Sequence, residues 1–305
     1  MSPCRVIAIV NQKGGVGKTT TAVNLAACFA VSERSTLLID LDPQGNATSA
    51  FGVSNPPRQV YDTIIGRLAI KDAVLETDLD CLHLLPAGPD LVGAEIELAA
   101  LDDRAERLAA VVGDARNSYE LILIDCPPSL GILTLNALTA ADSILIPLQC
   151  EYYALEGLAR LLETRDLVRA QLNPTLELEG IALTMVDLRN NLSRQVEAEV
   201  RQHFGAKVYR TRIPRNVRLS EAPSHGQPIL LYDIHSRGAV AYLKLAEEVL
   251  SNIPVAEGAG LSVSGQQPES TSSEPSPQPE TISSITPPST SPTTSSITST
   301  SGSPK

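Results

Sequence analysis

The sequence predicts an α/β fold: a mostly parallel central sheet with helices covering both faces. Three observations carry this. Short apolar, β-branched runs alternate with longer stretches of helical spacing, a glycine-rich loop joins the first run to the first helix, and two later runs end in aspartate.

Taken in order, RVIAIV (5–10) reads as a strand, and 19–31 as the helix that follows it. TLLID (36–40), LILID (121–125), SILIPL (143–148) and GIALTMV (180–186) are further strands, apolar on both faces, as a sheet buried between helices requires. Residues 154–172 and 192–203 have helical spacing, and 237–252 reads as a closing helix ahead of Pro254. A chain of 305 residues with 43% hydrophobic content supports one large core, so a single folded domain is expected over 1–254. From 255 to 305 the composition turns to Ser, Thr and Pro with almost no large apolar residues. Such a segment cannot bury enough surface to offset chain entropy and is expected to be a disordered tail.

Composition excludes several function classes. No apolar run approaches the roughly 18 residues of a membrane span, and the start moves directly from a strand into the glycine loop, so neither a membrane partner nor a signal peptide is expected. Cys4, Cys28, Cys81, Cys126 and Cys150 are widely spaced, with no paired metal-ligand pattern, and are expected to be reduced. A formal net charge of −11 argues against a generally basic nucleic-acid coat, so any contact with DNA must be a local basic patch.

The loop reads Asn11-Gln12-Lys13-Gly14-Gly15-Val16-Gly17-Lys18-Thr19-Thr20. Glycines let successive backbone N–H groups turn toward phosphate oxygens, and the helix N-terminus adds a favourable dipole for an anion. Strand, glycine loop and helix in that order predict a P-loop NTPase, with Gly14 to Thr20 around the phosphates, Lys18 on the β- and γ-phosphates and Thr19 on Mg²⁺. Gln12 stands where the first glycine of GxxxxGK[ST] is expected, and a second lysine, Lys13, sits beside the glycines.

Two acids close the strand at 36–40. Asp42 is placed to orient or activate an attacking water, and Asp40 to anchor either the Mg²⁺ shell or the loop. Asp125 ends another buried strand, as expected of a Walker B carboxylate acting on Mg²⁺ through water. His225 has no nucleophile partner in sequence and is read as structural.

KGGVGKTTT, LLIDLDPQGNATS, LILIDCPPSLG and IPRNVRLSEAPSHGQPI, in this order and spacing, closely resemble the ParA/Soj partition ATPases of the deviant Walker A group, over about residues 6–250. The resemblance implies hydrolysis of ATP with Mg²⁺ as cofactor, with Asp42 as the hydrolytic acid. It implies that Lys13 reaches a partner subunit's phosphates in an ATP-dependent homodimer, and that Pro214 and Asn216 lie against the adenine. It further implies non-specific DNA binding through Arg189 and Arg218, a patch that Arg215 and Arg194 extend, and a ParB-like activator. A cytoplasmic, nucleoid-associated protein is the corresponding expectation.

Rival readings differ in their ends and cargo. A relative of MinD is expected to close on a basic amphipathic helix, and a metal-cluster ATPase to hold paired cysteines; neither pattern is present in this sequence. A transcription factor has no room for a helix-turn-helix ahead of a loop that begins within twenty residues of Met1. The same mechanism acting on a plasmid, carboxysome or protein cluster is compatible with every motif above.

Overall fold

Side chains alternate with period two along every interior strand, and here both faces are apolar, so the sheet is covered on each side. In the computed structural model, which describes residues 4–252, eight strands form one sheet: β1 (Arg5–Ile9), β2 (Thr36–Asp40), β3 (Leu75–Glu76), β4 (Leu82–Leu85), β5 (Leu121–Asp125), β6 (Ser143–Gln149), β7 (Glu177–Val186) and β8 (Val208–Pro214). Their spatial order is β3-β4-β2-β5-β1-β6-β7-β8, parallel throughout except for β3 against β4. The expected tail and its boundary lie outside the described residues.

Burial follows the alternation. Val6 and Ala8 of β1, Leu37 and Ile39 of β2, and Ile122 and Ile124 of β5 enter one core. Ile7 and Ile9, Leu38, and Leu121 and Leu123 enter the other. Each interior strand therefore contributes to two hydrophobic layers at once, which is why the runs read as continuous rather than alternating.

The helix Lys18–Val31 is buried almost all round, Thr21 through Ala30 without exception, so its sequence carries no polar stripe. It packs in the second core with the closing helix Arg237–Asn252, and Thr21 Oγ1 lies 3.2 Å from the buried Tyr242 hydroxyl. Helices Ile132–Ala140 and Ala154–Gln171 help to cover the opposite face.

The strand register sets the site. Ile9 is level with Asp125, and Asp125 with Asp40, so two carboxylates emerge side by side at the C-terminal edge of the sheet. Ligands of open α/β sheets bind at this edge.

Candidate nucleotide-binding site

The glycine loop has the curvature an anion cradle needs. Gly15 (φ 74°) and Gly17 (φ 88°) adopt left-handed backbone, and a side chain at either would be strained. Val16 is buried and anchors the turn, and its carbonyl accepts a hydrogen bond of 2.8 Å from Thr184 Oγ1 at the end of β7. Asn11 fixes the entry: its Nδ2 donates to the Pro147 carbonyl at 2.7 Å, and its Oδ1 accepts from the Lys13 N–H at 3.0 Å. Lys18 opens the helix and donates Nζ to the Lys13 carbonyl at 3.2 Å, so its ammonium is folded back over the loop. Burial lowers its pKa, opposed by the nearby Asp125 and Asp42.

The three acids have different surroundings. Asp125 is fully buried, and neither of its carboxylate oxygens has a hydrogen-bond partner among the described residues. Burial first, and the Asp40 charge second, push its pKa well above the carboxylate range, against smaller pulls from Thr19 and Lys18. Buried polar atoms are rarely left unpaired. An unsatisfied carboxylate beside Thr19, which lines the phosphate cradle, is the donor set a divalent cation takes, so these residues fit Mg²⁺.

Asp40 is also buried, but its oxygens are engaged. Oδ2 accepts from the Thr48 N–H (2.8 Å) and hydroxyl (2.7 Å), and Oδ1 from the Asp42 N–H (3.2 Å). These contacts tie Asp40 to the loop that follows β2. Burial raises its pKa to about 6. Asp42 lines the cavity itself, its Oδ1 held by the Gln44 N–H at 3.0 Å.

That cavity, about 410 Å³, has Gly14, Gly15 and Gly17 to Thr20 at one end, with Asp42, Gln44 and Pro128 beside them. Along the helix it continues past Val23 and Asn24 to Ala222, Pro223 and Gln227 to Ile229. Asn24 ties that segment down, its Oδ1 accepting from the Ile229 N–H at 2.8 Å. Just ahead of that segment, Gly226 packs against Gly52. A Cβ on Gly226 would lie 2.7 Å from the Gly52 Cα, and both residues have positive φ.

The remaining expected residues are distributed as follows. Lys13 is half exposed, and its ammonium pairs with Glu151 just after β6. Pro214 does not line the P-loop cavity; it lines a larger one of about 820 Å³ at the exits of β7 and β8. Asn216 caps the short helix Val217–Glu221, its Oδ1 accepting from the Arg218 N–H at 2.8 Å. The adenine contacts implied for Pro214 and Asn216 are therefore not at the P-loop cavity wall. Consecutive residues at the exit of β7 serve different cavities: Met185, in left-handed backbone, lines the smaller and Val186 the larger.

Arg189 and Arg215 line the larger cavity, whereas Arg218 does not and instead pairs with Glu221 (2.9 Å) and Asp233 (3.5 Å). Arg194 bonds Asn191 within its own helix, Asn191–Phe204. His225 stacks on Tyr232 with ring centroids 4.8 Å apart, in keeping with a structural role. Glu151, Asn24, Met185 and the Gly52–Gly226 contact escape a sequence reading because each acts through a partner distant in the chain. A lone Asn inside the apolar run AVNLAA was the one visible signal.

A glycine loop at a helix N-terminus, lying beneath strand-end acids of a parallel sheet, defines a P-loop NTPase. A family model described as an AAA domain matches residues 4–178. The chain is 55% identical to the sporulation initiation inhibitor protein Soj of Bacillus subtilis over 250 residues, which is 81% of this chain and 99% of that protein. It is 53% identical to the chromosome partitioning protein ParA of Caulobacter vibrioides over 254 residues, covering 82% and 95% of the two chains. The chain belongs to the ParA/Soj family of chromosome partitioning ATPases. Among solved structures, cobyrinic acid a,c-diamide synthase from Mycobacterium smegmatis with a bound ATP analogue and magnesium superposes with a TM-score of 0.71 at 37% identity, covering 81% of this chain and 94% of that one.

Proposed function

We propose that this chain hydrolyses ATP with Mg²⁺ and uses the nucleotide state to partition a chromosome or plasmid. The observation that carries the reading is the unpartnered, buried Asp125 carboxylate beside Thr19 and Lys18, two residues that line the glycine cradle. Asp125 and Thr19 would hold Mg²⁺, which would supply charge neutralisation for the phosphates. The cradle N–H groups and Lys18 bind the phosphates. Asp42, on the cavity wall and fixed by Gln44, orients the attacking water. The base lies toward the exits of β7 and β8, where Met185 and Pro214 stand.

Lys13 is held by Glu151 of its own chain and becomes available to a partner's phosphates when that pair opens. ATP thereby joins two copies, and the dimer presents a doubled set of Arg189, Arg215 and Arg218 to DNA, sequence-independently and with marked salt sensitivity. A ParB-like activator would speed hydrolysis and reset the cycle, in the cytoplasm and on the nucleoid.

Binding to non-specific duplex DNA, measured with ATP and with ADP at two salt concentrations, tests the reading together with ATP turnover. ATP-dependent, salt-sensitive binding that persists in Asp42→Ala, while turnover falls, is the expected result. Absence of binding in every nucleotide state would overturn the DNA role, and absence of turnover in the unaltered protein the catalytic one.

A further inference from the structure

We propose that Thr48 is a positioning residue for hydrolysis: its hydroxyl, acting through Asp40, sets where Asp42 stands on the cavity wall. This role rests on the hydrolysis reading above and extends it to a residue that does not line the cavity.

Both ends of the segment from Asp42 to Thr48 meet on one carboxylate. Asp40 Oδ2 accepts from the N–H and the hydroxyl of Thr48, at 2.8 and 2.7 Å, while Oδ1 accepts from the Asp42 N–H at 3.2 Å. The segment is thereby closed into a ring on a side chain at the end of β2. Inside the ring Gly45, in left-handed backbone, donates its N–H to the Asp42 carbonyl at 2.9 Å and leads into the short helix Asn46–Ser49. Asn46 and Ser49 line the cavity together with Asp42, whereas Thr48 is buried on the other side of that turn.

A second bond sets Thr48 apart from an ordinary buried threonine. Its one hydroxyl proton goes to Asp40, and a lone pair of the same oxygen accepts from the Ala87 N–H at 2.9 Å, two residues after β4. Strand β4 lies beside β2 in the sheet. One hydroxyl thus links the backbone after β4 to the Asp40 carboxylate, which in turn holds the Asp42 N–H. Gln44 fixes Asp42 Oδ1 but belongs to the same turn, so it cannot fix the turn against the sheet. That is done by the Leu41 N–H on the Asp125 carbonyl, at 2.9 Å, and by the bonds through Thr48.

Hydrolysis is sensitive to such placement, since a displacement of about 1 Å of a catalytic group can cost about 100-fold in rate. Phosphate binding is carried by other elements, the glycine loop after β1 and Lys18 at the start of the following helix. Loss of the Thr48 hydroxyl should therefore reach turnover and spare nucleotide affinity.

The test compares Thr48→Val, which removes the hydroxyl at nearly constant volume, with Thr48→Ser, which keeps it. In T48V, kcat for ATP is expected to fall about 10- to 100-fold with KM within about threefold, and T48S to stay within about threefold of the unaltered chain. In single-turnover measurements T48V/D42A should match D42A, because a residue that acts through Asp42 then has nothing left to position. Thr36→Val controls for general loosening: Thr36 is fully buried at the other end of β2, donates its hydroxyl to the Arg34 carbonyl at 2.8 Å, and should leave kcat unchanged. Amide hydrogen exchange at Asp42, expected to run about tenfold faster in T48V and at the unaltered rate in T48S, reads the placement without turnover. A rise in KM that accounts for the whole loss, a further fall on adding T48V to D42A, or an equal loss in T36V would overturn the proposal. If the unaltered chain turns over no ATP, the hydrolysis reading has failed, and exchange decides this one: unchanged protection of the Asp42 amide in T48V overturns it.

Discussion

Two cavities share the C-terminal edge of the sheet, and they are built on opposite plans. The glycine-loop cavity takes its positive character mainly from backbone N–H groups and one folded-back lysine, and its acids are buried and fixed by short contacts from Thr48, Gln44 and the strand register. The larger cavity draws on long, exposed side chains from three elements, most of them held by nothing in the protein. The first is pre-organised and costs little to order when a ligand arrives. The second must order several flexible side chains, so it favours ligands with many charges over ligands of one shape.

This contrast can be broken most sharply at the first cavity. Asp42→Ala should lower ATP turnover by about two orders of magnitude or more, the range of a lost general base, while nucleotide affinity stays within a few-fold; an equal fall in affinity would make Asp42 a binding group instead. Lys18→Ala should weaken nucleotide binding by about 30- to 150-fold, in line with loss of a charge-assisted contact of about 2–3 kcal/mol. Fluorescent-nucleotide titration reads this directly.

Backbone placement around the first cavity gives the next effect. Gly226→Ala would put a Cβ 2.7 Å from the Gly52 Cα as well as straining φ, so a loss of about 2–4 kcal/mol is expected. The reciprocal Gly52→Ala meets nothing closer than 3.7 Å and should lose about 1–2 kcal/mol from φ alone. Denaturant melts of the two variants would read the asymmetry, and equal losses would show that the contact gives way. Smallest of all, R237A/K244A, which removes two bases of the closing helix from the larger cavity, should leave stability within about 0.5 kcal/mol, because these side chains support no packing or pairing in the protein.

Much of the first cavity was legible in sequence, and little of the second. The glycine loop, Lys18, Asp42 and Asp125 lie in contiguous motifs whose chemistry follows from local backbone geometry, and the strands carrying them are long apolar runs. Helices at 18–31, 154–171, 191–204 and 237–252 fell within two residues of the ends expected. Strands β3, β4 and β8 did not stand out: β3 has two residues, β4 is interrupted by His83, and β8 carries exposed Arg210 and Arg212 at the edge of the sheet, where the Glu248 carboxylate accepts from the Arg210 and Thr211 N–H groups. That edge is also where the larger cavity forms, so its basic lining comes from Arg212 of a strand with no apolar signature, from Arg189 and Arg215 in the segments after β7 and β8, and from two helix residues seven apart. The roles implied for Pro214 and Asn216 depend on where the chain turns after β8, which no local pattern specifies.

The segregation of charge has a kinetic consequence. A molecule that is acidic overall, yet holds five bases in one concavity, carries a lopsided field that turns an approaching polyanion before contact. Most faces repel it and one attracts, so a larger fraction of collisions arrive in register, and the rate of capture, more than the lifetime of the complex, becomes the quantity that salt controls.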